Sequence, residues 1–127
     1  GTTNLMKLQL IGTQLVKGLG VGEQSVIGKA VVATSAEEAN SKVQDGDILV
    51  AKTTDKDYLP AIKKASGMVV EASGLTSHAA VVGLSLGIPV VVGATDAVEK
   101  IKDGSKITVD ARRGAVTKVE ELTFNLN

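Results

Sequence analysis

Apolar residues along this chain fall into short β-branched runs separated by stretches of helical pattern, which predicts strands and helices in alternation. Gly28 to Thr34 (GKAVVAT) predicts a strand. It passes into Ser35-Ala36-Glu37-Glu38, a serine followed three residues later by a glutamate, the pattern of a capping box that opens a helix toward Val43. A turn at Asp45-Gly46-Asp47 leads to a second strand from Ile48 to Lys52. Asp57 is the expected N-cap of a helix that holds Pro60 in its first turn, reaches Ala65 and ends at Gly67. Met68 to Glu71 predicts a third strand, Ser77 to Leu86 a helix, and Ile88 to Val92 a fourth strand. A short helix over Ala97 to Lys102 is closed by Asp103-Gly104. Lys106 to Asp110 and Ala115 to Val119 then read as two strands joined through Arg112-Arg113-Gly114 in a tight hairpin connection.

The opening of the chain follows a different rule. Leu5 to Ile11 (LMKLQLI) alternates apolar with polar positions, as a half-buried strand does, and is a candidate to belong to a neighbouring domain. Gly18-Leu19-Gly20-Val21-Gly22 is glycine-rich but lacks the spacing and the Lys-Ser/Thr pair of a phosphate-binding loop.

Composition narrows the class. With 127 residues, 43% of them hydrophobic, and only one Tyr, one Phe and no Trp, the core must be built from Val, Ile, Ala and Gly. That suits an α/β fold, a layered sheet with flanking helices in close contact. Fourteen basic residues balance 14 acidic ones, so no footprint for nucleic acid or an anionic membrane surface is expected. There is no cysteine and a single histidine, which argues against disulfides and a zinc site, and no metal ligand set is expected. Without a basic stretch leading into an apolar signal segment, the expected location is cytoplasmic.

That histidine, His78, carries the candidate chemistry. It lies in Gly74-Leu75-Thr76-Ser77-His78-Ala79-Ala80, where a glycine-bearing turn opens into the predicted helix. With Thr76 as N-cap, the first N–H groups of the helix and the positive end of its dipole would stand beside the imidazole. A neutral imidazole nitrogen is a nucleophile toward phosphorus, and Gly74, Thr76 and Ser77 are the candidate anion-binding positions for the product. Glu71 is the candidate to orient the ring. The plain alternative is a histidine that satisfies a nearby carbonyl. Arg112-Arg113 is expected to be a solvated turn, Asp110 a cap for its N–H groups, and the Asp-Gly pairs lack the remaining ligands of a calcium loop.

Residues 71–93, EASGLTSHAAVVGLSLGIPVVVG, resemble the signature of the phosphohistidine swivelling domain, the mobile domain of phosphoenolpyruvate-utilising enzymes. The resemblance implies a β/β/α swivelling fold from about Gly12 to Val119, with Asp110 and Gly114 in its closing hairpin and His78 at the position that shuttles phosphate. Family members usually carry Gly-Gly where this chain has Ser73-Gly74, and an arginine five or six residues after the histidine, where this chain has Gly83-Leu84. A guanidinium can bind phosphate bidentately, so its replacement removes a partner of the phosphorylated ring.

Over nearly its whole length the chain also resembles the extra C-terminal domain of pyruvate kinases from Bacillus-type bacteria, with Gly1-Thr2-Thr3-Asn4-Leu5-Met6-Lys7 similar to the last strand of the domain before it, which implies that residues 1–11 end that preceding domain and residues 12–127 form the mobile domain. This resemblance implies a structural or regulatory module without activity of its own. Its parent would transfer phosphate from phosphoenolpyruvate to ADP with Mg²⁺ and K⁺, as a homotetramer, and the module's partner would be the remainder of that chain. The alternatives are a phosphocarrier that is phosphorylated on His78 and a binding module for a phosphorylated effector.

Overall fold

The computed structural model describes residues 4–125. Eight strands form one mixed sheet: β1 (Leu5–Lys17), β2 (Leu19–Val21), β3 (Ser25–Val32), β4 (Ile48–Ala51), β5 (Gly67–Val70), β6 (Val90–Val92), β7 (Lys106–Asp110) and β8 (Ala115–Asn125). Their spatial order is β1-β8-β7-β3-β4-β5-β6-β2. The helices are α1 (Ala36–Lys42), α2 (Leu59–Lys64), α3 (His78–Leu86) and α4 (Ala97–Lys100).

Parallel strands need crossovers, and α1, α2 and α3 supply them between β3, β4, β5 and β6. Strands covered on both faces read as unbroken apolar runs, as Ile48-Leu49-Val50-Ala51 and Val90-Val91-Val92 do. Alternate residues then serve two cores. Leu49, Ala51, Met68, Val70, Val90 and Val92 pack with Ala39, Ala61, Ile62, Ala79 and Ala80 of the three helices. Ile48, Val50, Val69 and Val91 pack on the other side with Val16, Ile107, Val109 and Val116 of the antiparallel strands and with Ala97 and Ile101. The result is three layers: helices, the parallel strands, and the antiparallel strands folded over them. This is the expected α/β architecture, with α4 on the side opposite the other helices.

β3 joins the two sheet layers. Its first half pairs antiparallel with β7 and its second half parallel with β4. β1 and β2 sit at opposite ends of the strand order yet are separated only by Gly18, so the sheet must curl until its ends meet. They meet at the β7–β8 turn, where the Gly18 N–H donates to the Gly114 carbonyl at 2.8 Å. A Cβ on Gly20 would lie 1.6 Å from the Ala111 carbonyl oxygen, and one on Gly18 would lie 2.2 Å from that of Val92. Close backbone crossing therefore accounts for the glycine-rich stretch.

Several local expectations shift. Ser35 caps α1 and accepts the Glu38 N–H at 3.1 Å, while Glu38 reaches one residue further back than a capping box does, to the Thr34 N–H at 3.2 Å. The N-cap before the second helical segment is Asp55, not Asp57: its carboxylate accepts the Asp57 N–H at 2.8 Å and opens a 3₁₀ turn over Lys56–Tyr58 ahead of α2. Gly67 does not end a helix. It begins β5, where a Cβ would stand 3.1 Å from Val26 and 3.2 Å from the Pro89 carbonyl. Asp110 accepts the N–H groups of Arg112 and Arg113, which fits a capped, solvated turn.

β1 continues through the expected domain boundary between residues 11 and 12, and the β1–β8 register slips just there, between Ile11 and Gln14. Residues 1–3 of the expected terminal strand, and residues 126 and 127, lie outside the described residues. No helix among the described residues is long and apolar enough to cross a membrane.

Candidate functional site

The parallel strands converge with their C-terminal ends on the segment that holds His78. In open α/β sheets, loops leaving those ends form the usual crevice for ligands. The loop after β5 is pinned at several points: the Ala72 N–H donates to Lys52 at 2.8 Å, and Gly93 and Ala94 donate back to Ala72 and Val70. Gly74 turns the chain with φ of +106°, a conformation open to glycine at little cost, and Leu75, Thr76 and Ser77 follow into α3.

The N-cap of α3 is Ser77, one residue later than the Thr76 expected from the sequence. Ser77 has the extended backbone a cap requires, and its hydroxyl accepts the Ala80 N–H at 3.4 Å, whereas Thr76 is exposed one position outside. His78 is thus the first helical residue. Among the described residues, no acceptor takes the N–H of His78 or of Ala79. The open donors of the helix start are therefore beside the ring.

The ring is held by a residue the sequence did not single out. Thr54, buried just beyond β4, places its hydroxyl 2.9 Å from His78 Nδ1. Glu71, expected to orient the ring, instead accepts the Val98 N–H at 3.0 Å. It thereby caps α4, whose own N-cap residue Asp96 makes no side-chain cap. A polar residue three positions past the end of a parallel strand, where ligands gather, was the available signal for Thr54.

Thr54 also bears on the proton inventory of the ring. Its hydroxyl makes no other hydrogen bond among the described residues, and the bond can run in either direction: a neutral ring protonated on Nε2 accepts it at Nδ1, and one protonated on Nδ1 donates it to Thr54. Attack from Nε2 uses the second arrangement, with the proton on Nδ1 and the Thr54 hydroxyl accepting it.

The outward surface of α3 is apolar. α3 contains no charged residue, and Leu75, Val81 and Leu84 are 60%, 55% and 65% exposed. They line a shallow cavity of about 550 Å³ together with Gly20, Val21, Gly22, Ala80 and Ser85. A separate groove of about 680 Å³ on the antiparallel layer, lined by residues including Lys17, Asp110 and Arg113, shares no residue with the His78 site. Among the described residues, no group of three or more His, Cys, Asp or Glu side chains could hold a metal ion.

Residues 43–114, more than half the chain, match the family model of the PEP-utilising enzyme, mobile domain. The chain belongs to that family. The mobile domain is 80% identical over 120 residues to a pyruvate kinase of Lactobacillus delbrueckii subsp. bulgaricus, a match covering 94% of this chain and 20% of that protein. It is 59% identical over 116 residues to a pyruvate kinase of Geobacillus stearothermophilus, covering 91% and 20%. The chain thus spans about a fifth of the length of these curated relatives. Among solved structures, Enzyme I in solution aligns with a TM-score of 0.53 at 28% identity, over 61% of this chain and 32% of that one.

Proposed function

We propose that this chain is a non-catalytic structural and regulatory domain of a pyruvate kinase, one that keeps the fold of a phosphate shuttle without its use. The observation that carries this reading is the charge-free helix α3, which begins at His78 and turns Val81 and Leu84 to the outside. A phosphorylated imidazole needs cationic or strongly donating partners. Here the segment 71–93 contains no lysine or arginine, and a leucine and a glycine stand where an arginine would serve that purpose. What that segment offers is the helix start, worth about half a positive charge, and the Thr76 and Ser77 hydroxyls, with Thr54 supplying a third from outside it. An exposed apolar face on a rigid helix is better suited to contact with another protein surface.

On this reading the parent polypeptide transfers phosphate from phosphoenolpyruvate to ADP in glycolysis, as a cytoplasmic homotetramer. On the same reading its Mg²⁺ and K⁺ would be held by the remaining four fifths of the polypeptide. A second reading, with His78 as phosphocarrier, draws support from the free N–H groups of His78 and Ala79.

Incubating the full-length enzyme with labelled phosphoenolpyruvate separates the two. We expect no acid-labile, base-stable label on this domain, and turnover of His78→Ala within about twofold of the parent. Label that disappears in His78→Ala would overturn the non-catalytic reading.

A further inference from the structure

The groove of about 680 Å³ on the antiparallel layer is built by the register of four strands. Val16, Ile107, Val109 and Val116 turn into the core, so their neighbours along each strand face outward. One outward row across the strands is Ser25, Asp110, Ala115 and Lys17, and the next is Ile27, Thr108, Thr117 and Gln14. β1 is irregular along this wall, with register shifts on either side of Gln14, and bulges of this kind re-aim side chains beside binding sites. Past Lys118, β8 loses β7 as a neighbour, and β1 and β8 run on alone as a two-stranded ribbon.

Thr108 lines this groove and is only 4% exposed, yet its hydroxyl makes no hydrogen bond among the described residues. No unpartnered side-chain oxygen among those residues is fully sealed from solvent, so the Thr108 hydroxyl opens into the groove. A polar group buried to this degree calls for a partner from outside the fold. The side chains of Gln14, Lys17, Ser25 and Thr117 around it likewise make no hydrogen bond among the described residues. Charge adds a direction. At the turn end Asp110 accepts the N–H groups of Arg112 and Arg113 and stands 3.9 Å from Arg113 Nε, so these two charges balance. Lys17, on the same row, meets no carboxylate at ion-pairing distance among the described residues and leaves the groove with one uncompensated positive charge.

We propose that this groove binds a small hydroxylated monoanion, a sugar acid in chemical class. Lys17 and the Arg113 guanidinium meet its carboxylate, the hydroxyls of Thr108, Thr117 and Ser25 meet its hydroxyls, and Ile27 covers its carbon chain. A single negative charge matches the one that the groove lacks, whereas a dianion would set its second charge against Asp110. The volume lies within the range of about 300–1,000 Å³ of small-molecule sites, which combine apolar walls with a few placed polar groups. The inference is independent of the reading of His78, since the groove shares no residue with that site.

Calorimetric titration of the full-length enzyme tests this. Gluconate should bind with a Kd below about 1 mM, while acetate, which lacks the hydroxyls, and glucose, which lacks the charge, should each bind at least about tenfold more weakly. Lys17→Met should weaken gluconate about tenfold and Thr108→Val about fivefold, both with turnover unchanged. Hydrogen–deuterium exchange in the same protein should show gluconate slowing the amides of residues 106–117 and leaving those of β4, β5 and β6 as they were. No binding of gluconate up to about 10 mM, or binding that survives both substitutions, would overturn the proposal. Acetate as tight as gluconate would reduce the groove to plain charge attraction and overturn it as well. Glucose 6-phosphate bound more tightly than gluconate would overturn the assignment to a monoanion.

Discussion

Helix α3 and the β1–β8 ribbon both leave large apolar side chains in water, yet they are held by opposite means. α3 is clamped to the body: Ser77 caps its start, Gly87 ends it in the left-handed conformation, and Ala79, Ala80 and Gly83 are pressed against the sheet. The fit is so close that a Cβ on Gly83 would stand 2.2 Å from a methyl of Val90. The ribbon has no such platform, since its apolar face meets only its own two strands. An exposed apolar patch on a braced element is ready-made for contact. The apolar residues of the ribbon lie outside both cores.

The contrast predicts where substitutions act. The largest effect is expected for Gly83→Val, which forces α3 away from β6. Overpacking of this kind costs about 3 kcal/mol, read as a lower urea midpoint of the 127-residue chain. Exchange in the ribbon should stay as it was, and a matching loss of ribbon protection would erase the distinction between the two regions. Thr54→Val should cost about 1 kcal/mol, because His78 Nδ1 loses its one assigned partner in a half-buried setting. Its sharper signature is in the ring: the ¹⁵N shifts of His78 should move, and unchanged shifts would mean that Thr54 does not set the proton position. Smallest of all, Leu8→Thr should change stability of the short chain by less than about 0.5 kcal/mol, as at an unpacked surface position. A larger loss would show that the ribbon is already packed without a partner.

Much of the architecture could be read from pattern. Ile48 to Ala51 and Val90 to Val92 announce strands buried on both faces, and Ser35 with Glu38 announces the start of α1, because these signals depend on neighbours a few residues apart. The strand assigned to Leu5–Ile11 also formed, but it runs on to Lys17, and its partner β8 runs to Asn125 instead of stopping near Val119. A polar-apolar alternation marks a strand without saying what covers its apolar face, and here nothing within the described residues does. At the site, Gly74, Ser77 and His78 fall where a glycine turn and a helix start would put them. The cap moved by one residue because serine and threonine are both competent caps, and only the backbone torsions separate them.

Local chemistry therefore specified a histidine at a helix start, an alternating layered α/β body and glycines where the chain must turn, since each rests on short-range sterics and hydrogen bonding. Which groups meet that histidine was a matter of long-range pairing. Thr54 is 24 residues away in the chain and arrives only because β4 and β5 lie side by side, while Glu71, seven residues away, is drawn off to cap α4. The crossing at Gly18, Gly20 and Gly114 belongs to the same class. A curled sheet brings backbones into contact across about a hundred residues, and no local pattern encodes a distance that only the curl creates.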